Sequence, residues 1–439
     1  MNSKDFSEWG CKEREKETYT LGNSDIRRWY QRDIDQITHS TCFRKLQRKS
    51  QLLSEKDPRS RSRLIHTIEV SRIAMEISEK LGLSKELTEA ICLAHDIGTS
   101  PYGYIGNSFL EKYAKQPFSH EAAGVYMLLG ISQKRIMDEK WGPVIEAQIE
   151  ESTMEFPAQV DIDEFPKKLY ASKIETGDSE AQYFLHHISP EIIDGVLNHG
   201  DLGKPNTLEG QVVKFADNIA YLSQDIEDLI STHLVKKTQY SKHSANKILK
   251  YMKKVSAEDE AKTKEISMSW NTIDQDGAIL SLKDAFSETR GKRIAAFVGR
   301  FVDYNLRQLQ KEELDYRRSY ILNKEIPVLK CDEGMQFVID YIWNFIEQNY
   351  EMPLIKTSNS LQLEKMSQLW EIISSKDFTS RNASFKNFID MISSNSLFQK
   401  YEIEWKKAFF ISHLSWFDVD LIIDSYHERN NTFELDISY

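Results

Sequence analysis

The sequence has 439 residues, a formal net charge of −11 at pH 7 and 40% apolar residues. That length suits one large domain or two domains that share a core. The negative charge argues against broad affinity for nucleic acid, and no apolar run reaches the roughly eighteen residues of a membrane span. Four widely spaced cysteines without a CxxC pair, and an N-terminus without the apolar stretch of a signal peptide, predict a reduced, cytoplasmic protein.

Helices are predicted almost throughout the chain, because apolar residues recur at helical spacing and strand alternation is scarce. The predicted fold class is all-α, with any short hairpin a minority feature. We expect a polar tail over residues 1–25, a core over 26–235, and a helical region over 236–439 packed on that core. Individual helices are predicted at Arg63–Leu81, from the N-cap Ser84 to Gly98 and Pro101, at Leu208–Leu229, Arg293–Leu309 and Met335–Ile346, and weakly at Thr357–Ser380. The charged segment Lys236–Lys264 is either an exposed helix or a mobile excursion.

A run of basic residues lies between Arg27 and Arg63, where the chain has few acids. Such a run is usually a solvated face. In an otherwise acidic protein, it is also a place where a polyphosphate could be held.

The doublet His95–Asp96, in AICLAHDIGTSPYG, is the strongest chemical signal in the chain. An imidazole and a carboxylate at the end of a helix can bind one cation if the chain then turns sharply, and Gly98 and Pro101 supply the turn. A His–Asp pair by itself is weak evidence, because such pairs occur by chance in many proteins of this size. Its weight depends on companions elsewhere in the chain.

Two such companions stand on apolar helices. His66 lies in SRSRLIHTIEVSRIA and Asp217 lies in QVVKFADNIAYLSQDIEDL. His66 alone would be better explained as a hydrogen-bonded core histidine, whereas a carboxylate such as Asp217 is almost never buried without a partner. Together with the doublet they form a mixed N/O ligand set, which suits manganese, iron, zinc, cobalt or magnesium rather than a thiolate-seeking metal.

Asp217, Tyr221 and Asp225 follow one another at i, i+4 and i+8, so they share one face of a helix. Such a stripe is more often a hydrogen-bonded helix interface than a ligand site. Because this stripe begins at a candidate metal ligand, it favours a pocket in which Tyr221 and Asp225 lie further from the metal.

The order H…HD…D with these flanks resembles the HD superfamily, and within it the deoxynucleoside triphosphate (dNTP) triphosphohydrolases, which include bacterial dGTPase-like enzymes. The resemblance rests on RDIDQITHSTCFRKLQRKSQL, RSRLIHTIEVSRIA, PEIIDGVLNHG and LEGQVVKFADNIAYLSQDIEDL, and more faintly on RIAAFVGRFVDYNL. It is clear from about Trp29 to Leu229 and fades through about Tyr350.

The resemblance implies an HD-domain core with a helical C-terminal extension, and a hydrolase that cleaves a dNTP to deoxynucleoside and inorganic triphosphate. It implies that His66, His95, Asp96 and Asp217 bind a divalent metal. It further implies that Arg63 contacts a phosphate, and that three residues surround the deoxyribose: Gln51, Tyr221 and Asp225. A homo-oligomer, hexameric or tetrameric, and activation by a dNTP at a second site are also implied.

The loop after the doublet departs from the family pattern HDxGHxPFGHxGE. Thr99 varies within the family, but Tyr104 and Asn107 stand where the resemblance implies a His–Glu pair for proton transfer. A tyrosine of ordinary pKa and an amide that does not titrate cannot replace that pair at neutral pH.

His120, in PFSHEAAGVYML, is therefore the best candidate for a general acid or for stabilising the transition state, and Glu121 could orient it. The alternative is a histidine that caps a helix or lies in an interface. His186 and His187, in a segment without a clear match, could also supply a proton.

These features order three hypotheses. An active dNTP triphosphohydrolase comes first, because all four candidate ligands and the sugar-site residues are present. A dNTP-binding regulatory or sensor oligomer with little turnover comes second, on the strength of Tyr104 and Asn107. An HD phosphohydrolase acting on another nucleotide comes third, and would require the sugar-site residues to point away from the metal.

Overall fold

A computed structural model describes residues 5–11, 29–51, 61–134, 188–201, 203–235, 290–319, 321–346, 360–394 and 401–427. The N-terminal part contains the helices α1 Trp29–Thr38, α2 Thr41–Lys45, α3 Arg63–Leu81, α4 Lys85–Ala94, α5 Gly103–Tyr113, α6 His120–Lys134, α7 Pro190–Leu197 and α8 Leu208–Val235. The remaining elements are α9 Arg290–Lys311, β1 Tyr316–Ser319, β2 Lys324–Pro327, α10 Glu333–Ile346, α11 Ser360–Ser374, α12 Lys376–Arg381, α13 Ala383–Ser394, α14 Ile403–Ser412 and α15 Trp416–His427. The all-α fold class is confirmed.

The only strands among these ranges form one antiparallel hairpin, with Tyr316 opposite Pro327 and Ser319 opposite Lys324. The side chain of Gln211 connects the hairpin to α8. It donates a hydrogen bond to the carbonyl of Pro327 and accepts one from the amide of Leu329. Among the described helices, none is both long and apolar enough to cross a membrane.

Helix α3 has the bounds that its apolar pattern predicts. Ser62 caps its N-terminus by accepting a hydrogen bond from the amide of Ile65. Gly82 ends it in the left-handed region (φ 77°), which a residue without a side chain adopts at little cost. Between these caps, Val70 and Ile77 lie on a fully buried face.

Helices α3, α4 and α8 pack against one another and form the centre of the fold. Helix α7 packs on α4, α6 and α8, and α1 covers α4. Helix α9 packs against α3 and α8, while α11 and α14 contact α5. Described helices from beyond residue 290 thus contact the helices that carry the candidate ligands, although the division into residues 1–25, 26–235 and 236–439 stays a prediction.

Part of the segment expected to be a polar tail is buried. Phe6 is fully buried, and its amide donates to the carbonyl of Leu81 at the end of α3. The carboxylate of Glu209 then accepts from the amides of Cys11 and Ser84, at 2.9 and 3.0 Å. The apolar side chains in the tail were too few to produce a periodic pattern. Lys236–Lys264, His186 and His187 lie outside the described residues.

Lys49, from the basic run, is buried and donates to three backbone carbonyls. Two of them, on Ile97 and Thr99, belong to the loop that follows His95–Asp96, and the third belongs to Ser412 at the end of α14. An ammonium has three hydrogens to donate, so these acceptors match its capacity. Burial nevertheless lowers the pKa of Lys49 to about 7. This one side chain thus connects the basic run near the N-terminus with the loop after His95–Asp96 and with the end of α14.

We expect Lys49→Met to lower the free energy of unfolding by about 2 kcal/mol, because buried carbonyls lose their donor while the desolvated charge is removed. Chemical denaturation monitored by circular dichroism would measure the change. Lys112→Met, at an exposed position of α5, is the matched control and should stay within about 0.5 kcal/mol of wild type. Equal stability of the two variants would show that the three contacts contribute nothing.

Candidate metal centre

The doublet lies just beyond the end of α4 rather than within its last turn. The helix ends at Ala94, with His95 as its C-cap, so the expected end at Gly98 and Pro101 is too late. The reason is a change to tighter turns, in which the amides of His95 and Ile97 donate to the carbonyls three residues before them. These turns project both side chains of the doublet toward α3 and α8.

His66 from α3, the doublet and Asp217 from α8 converge on one point. Nε2 of His66 lies 2.9 Å from Oδ1 of Asp217 and 4.0 Å from Oδ2 of Asp96. Nε2 of His95 lies 3.4 Å from Oδ2 of Asp96 and 3.7 Å from Oδ1 of Asp217. Ligand atoms that each lie about 2.1 Å from one cation are separated by roughly 3.0–4.2 Å. The spacing of His66, His95 and Asp96 therefore suits one ion, and Asp217 lies within 3.7 Å of both imidazoles.

The hydrogen bonds of His95 test whether the cluster fits a metal. Its Nδ1 lies 2.6 Å from the carbonyl of Cys92, which can only accept, so Nδ1 carries the proton and Nε2 a lone pair. That Nε2 is buried and has no hydrogen-bond partner among the described residues. A buried lone pair aimed at two carboxylates is unfavourable unless a cation lies between them. His66, His95 and Asp96 could therefore hold a metal, with Asp217 completing a mixed N/O set.

Gln51 lies behind His66, with its side-chain nitrogen 3.3 Å from Nδ1 of the ring. Its Oε1 is buried and has no partner within the described ranges. Rotating the amide by 180° would let Oε1 accept a proton from Nδ1, which leaves Nε2 of His66 free for a metal. Gln51, which the family resemblance assigns to the sugar, thus contacts a candidate ligand.

Charge compensation in the cluster comes from one arginine. Arg63 donates through Nη1 to both oxygens of Asp96, at 3.2 and 2.9 Å. Burial opposes ionisation of Asp96, but the Arg63 guanidinium outweighs it and holds its pKa well below the ordinary value. The pKa of Asp217 is also lowered, because the hydrogen bond to His66 opposes the effect of its burial. Both carboxylates are therefore ionised and available to a cation at neutral pH.

The cluster opens on the side of Asp217. Its side chain is 23% exposed, whereas those of His66, His95 and Asp96 are at most 2% exposed. Tyr221, one turn along α8, stands edge-on to His66, with ring centroids 6.2 Å apart, and stacks on Trp343 of α10 at 5.2 Å. The predicted order along α8 is thus present, with Asp225 fully buried a further turn away.

The loop after the doublet is closed by backbone contacts and by Asn107. Oδ1 of Asn107 accepts from the amide of Ser100 at 3.0 Å, so this amide side chain shapes the loop. Gly103 adopts φ 55°, and a Cβ there would lie 2.6 Å from the carbonyls of Ser50 and Gln51. Tyr104 is 53% exposed, and no hydrogen bond joins it to another residue in the described part of the chain. The loop keeps its shape without an acid–base pair at these two positions.

His120 is the first residue of α6 and stands beside the cluster. The cap of this helix is Ser119, whose hydroxyl accepts from the amide of Ala122, so His120 is free of a capping role. Its Nδ1 lies 3.3 Å from Oε2 of Glu121, as the orienting role predicts. Its Nε2 lies 3.2 Å from Nε2 of His199, a residue not singled out from the sequence.

His199 follows α7 in the block PEIIDGVLNHG. Its ring lies 5.2 Å from the rings of both His95 and His120, so it bridges the candidate ligands and the candidate catalytic residue. It lies in an irregular turn, so the periodicity of apolar residues could not identify it as a buried residue. The only indication was its position at the end of a block that resembles the family.

The fold gathers two histidines and two aspartates from three segments, and this group could hold a divalent metal. Residues 63–222 match the family model described as HD domain, and that range contains all four residues. This part of the chain is therefore similar to HD domains.

About half of the chain is similar to curated bacterial proteins named deoxyguanosinetriphosphate triphosphohydrolase-like protein. It is 33% identical to one from Caldanaerobacter subterraneus subsp. tengcongensis over 48% of this chain and 49% of the relative. Identity is 34% with one from Neorickettsia sennetsu, over 49% and 50%, and 29% with one from Rickettsia bellii, over 56% and 57%. The chain thus spans about half the length of the curated relatives it matches. The resemblance found from the motifs is confirmed at this level.

We expect the purified chain, stripped with a chelator and titrated with Mn²⁺, to bind the ion through the four-residue cluster. His66→Ala should lose at least one ion per chain, and Gln51→Ala should weaken binding roughly 10–100-fold, as loss of an outer partner does. Isothermal titration calorimetry would measure both effects. His39→Ala, at an exposed position between α1 and α2, is the matched control. Full metal content in His66→Ala would show that the cluster is not the binding site.

Proposed function

We propose that this protein is a divalent-metal dNTP triphosphohydrolase, which releases deoxynucleoside and inorganic triphosphate. The observation that supports this most directly is the position of Arg63 and Tyr221. Both touch the four-residue cluster, one through Asp96 and the other through His66. A phosphate-binding cation and a flat aromatic ring thus adjoin a candidate metal site in the part of the chain that is similar to HD domains. The names of the relatives support the same substrate class.

In this proposal His66, His95, Asp96 and Asp217 hold the metal. A bound divalent cation lowers the pKa of a water molecule and polarises a phosphoryl oxygen. The Arg63 guanidinium keeps Asp96 ionised and the hydrogen bond to His66 keeps Asp217 ionised, so both carboxylates are charged before a metal binds. The identity of the metal (manganese, magnesium, iron, cobalt or zinc) is a matter for the titration described above.

Arg63 is the proposed phosphate contact. One of its nitrogens is committed to Asp96, and its Nε is unpaired within the described ranges. An arginine that donates to a metal ligand can donate to a phosphate through its remaining N–H groups. In this proposal the triphosphate therefore binds next to Asp96.

Tyr221 is the proposed sugar contact, with Gln51 and Asp225 near it. The ring stacks on Trp343, with centroids 5.2 Å apart, and stands edge-on to His66. A ring packed against two neighbours has less freedom to move away from an added hydroxyl, which would favour a deoxyribose over a ribose. Its position beside the cluster weakens the third hypothesis, which required the sugar-site residues to point away.

His120 is the proposed catalytic residue, and its role is to stabilise charge on the reacting phosphate. Its side chain is 26% exposed, and that of Glu121 beside it is 19% exposed, so both are partly accessible to solvent. Burial opposes ionisation of Glu121, but His120 and His199 lower its pKa, and the carboxylate therefore stays charged next to the imidazole.

Two further features belong to the proposal through the family resemblance. They are a homo-oligomeric state, hexameric or tetrameric, in the cytoplasm, and activation by a dNTP at a second site.

The function is tested by incubating the protein with each dNTP and Mn²⁺ or Mg²⁺, singly and in mixtures, and separating the products by ion-exchange chromatography. We expect deoxynucleoside and triphosphate in equal amounts, their loss in Asp217→Asn, and normal turnover in the control His39→Ala. Bound dNTP without product in every mixture would instead favour the regulatory or sensor protein. Release of pyrophosphate or monophosphate would indicate a phosphohydrolase of another class.

The atypical loop gives a second test. We expect the double variant Tyr104→His, Asn107→Glu to raise kcat at least about tenfold, because general acid–base help is typically worth roughly 10²–10⁴-fold. Steady-state kinetics at saturating Mn²⁺ would measure it. Tyr113→His, at another exposed tyrosine of α5, is the matched control. An unchanged kcat in the double variant would show that proton transfer at this loop does not limit the reaction.

A further inference from the structure

Thr99 contacts a candidate metal ligand through its side chain. Its hydroxyl donates a hydrogen bond to Oδ1 of Asp96 at 2.8 Å, and both residues are buried. Thr99 occupies the position of the first loop histidine in the pattern HDxGHxPFGHxGE, so this contact depends on the loop sequence of this chain. A buried hydroxyl has no bulk water to donate to, and the carboxylate of Asp96 is therefore its acceptor.

The two oxygens of Asp96 differ in how many hydrogen bonds they accept. An ionised carboxylate has about four acceptor positions, two on each oxygen. Oδ1 accepts from the Thr99 hydroxyl and from Nη1 of Arg63, at 2.8 and 3.2 Å, which fills both of its positions. Within the described part of the chain, Oδ2 accepts only from Nη1 of Arg63, at 2.9 Å. One position on Oδ2 therefore stays open.

The open position belongs to the oxygen that lies nearer the imidazoles. Oδ2 is 3.4 Å from Nε2 of His95 and 4.0 Å from Nε2 of His66. Nε2 of His95 cannot donate to it, because the proton of this ring is on Nδ1, at the carbonyl of Cys92. A cation among these residues would therefore contact Asp96 through Oδ2, while Oδ1 is held by Thr99 and Arg63.

The backbone of the loop keeps the Thr99 hydroxyl in place. The amide of Thr99 donates to the carbonyl of Asp96 at 3.0 Å, and the carbonyl of Thr99 accepts from the buried ammonium of Lys49. A Cβ on the preceding Gly98 would lie 2.1 Å from the carbonyl of His120, so the loop packs directly against the first turn of α6. These contacts restrict the loop and hold the hydroxyl within reach of Asp96.

We propose that Thr99 is a positioning residue for the metal site: its hydroxyl holds Oδ1 of Asp96 and thereby directs Oδ2 alone to a divalent cation. Arg63 cannot make this distinction, because its Nη1 donates to both oxygens. Hydrogen bonds to a metal-binding carboxylate fix its orientation and raise the affinity of the site. This proposal rests on the proposed function for its metal assignment, in which the four-residue cluster holds the cation.

The test compares Mn²⁺ binding by the full chain and its variants after chelator treatment. Thr99→Val keeps the shape of the side chain and removes its hydroxyl, so it should weaken Mn²⁺ binding roughly 10–100-fold in isothermal titration calorimetry. Thr99→Ala removes the same hydroxyl without placing a methyl group against the carboxylate, and should show the same loss. Thr99→Ser keeps the hydroxyl and should bind Mn²⁺ as wild type does. The electron paramagnetic resonance spectrum of bound Mn²⁺ should change in Thr99→Val and Thr99→Ala, because the carboxylate then rotates relative to the ion.

Thr88→Val is the matched control. Thr88 is fully buried in α4, the helix that leads to the doublet, and its hydroxyl contacts the side chain of Ser78 and the carbonyl of Ser84. The same group is thus removed from the same part of the core, but away from Asp96. The Mn²⁺ affinity and the spectrum of Thr88→Val should match wild type. Circular dichroism would establish that each variant is folded.

The outcomes separate this role of Thr99 from the proposed function. Unchanged affinity and spectrum in Thr99→Val and Thr99→Ala would overturn the role and leave the proposed function standing. An equal loss of affinity in Thr88→Val would show a general effect of the lost hydroxyl and would also overturn it. Weaker binding in the two Thr99 variants alone, with no product from any dNTP in wild type, would support the role and contradict the proposed function. No bound ion in wild type would overturn both.

Discussion

The fold depends on the cost of placing two carboxylates in its interior. Asp96 is 1% exposed and Asp217 faces it across the cluster, so neither could remain ionised without opposite charge nearby. Arg63 supplies part of that charge, and a cation would supply the rest. Helices α3, α4 and α8 each contribute at least one member, or carry it at their end. These three helices can therefore pack together only if the negative charges of the cluster are compensated.

The sequence predicted the centre of this arrangement because its signals are local. The bounds of α3 follow from the Ser62 cap, the apolar period and Gly82, all of which lie within one segment. His95–Asp96 stood out as a doublet before a sharp turn, and His66 and Asp217 stood out as polar groups on apolar helices. The structure brings the four side chains together, while their role as metal ligands stays a prediction.

The remaining features depend on long-range contacts that no local pattern reports. Lys49 looked like one more residue of a solvated basic run, but its three acceptors come from positions 48, 50 and 363 residues away. His199 lies in a turn, where periodicity is silent, and becomes notable only through its distances to His95 and His120. Phe6 was hidden in a polar segment. In each case the missing information was which distant backbone would lie next to the side chain.

The buried ammonium of Lys49 also bears on what counts as a domain. The stretch that matches the HD model, residues 63–222, includes the carbonyls of Ile97 and Thr99 but excludes both Lys49 and Ser412. A fragment cut at those limits would keep every candidate metal ligand and lose the donor that satisfies the loop beside them. The segment that matches the family model is therefore shorter than the segment needed to complete the hydrogen bonds of this loop. The longer segment includes the C-terminal helices, because Ser412 at the end of α14 accepts a hydrogen bond from Lys49.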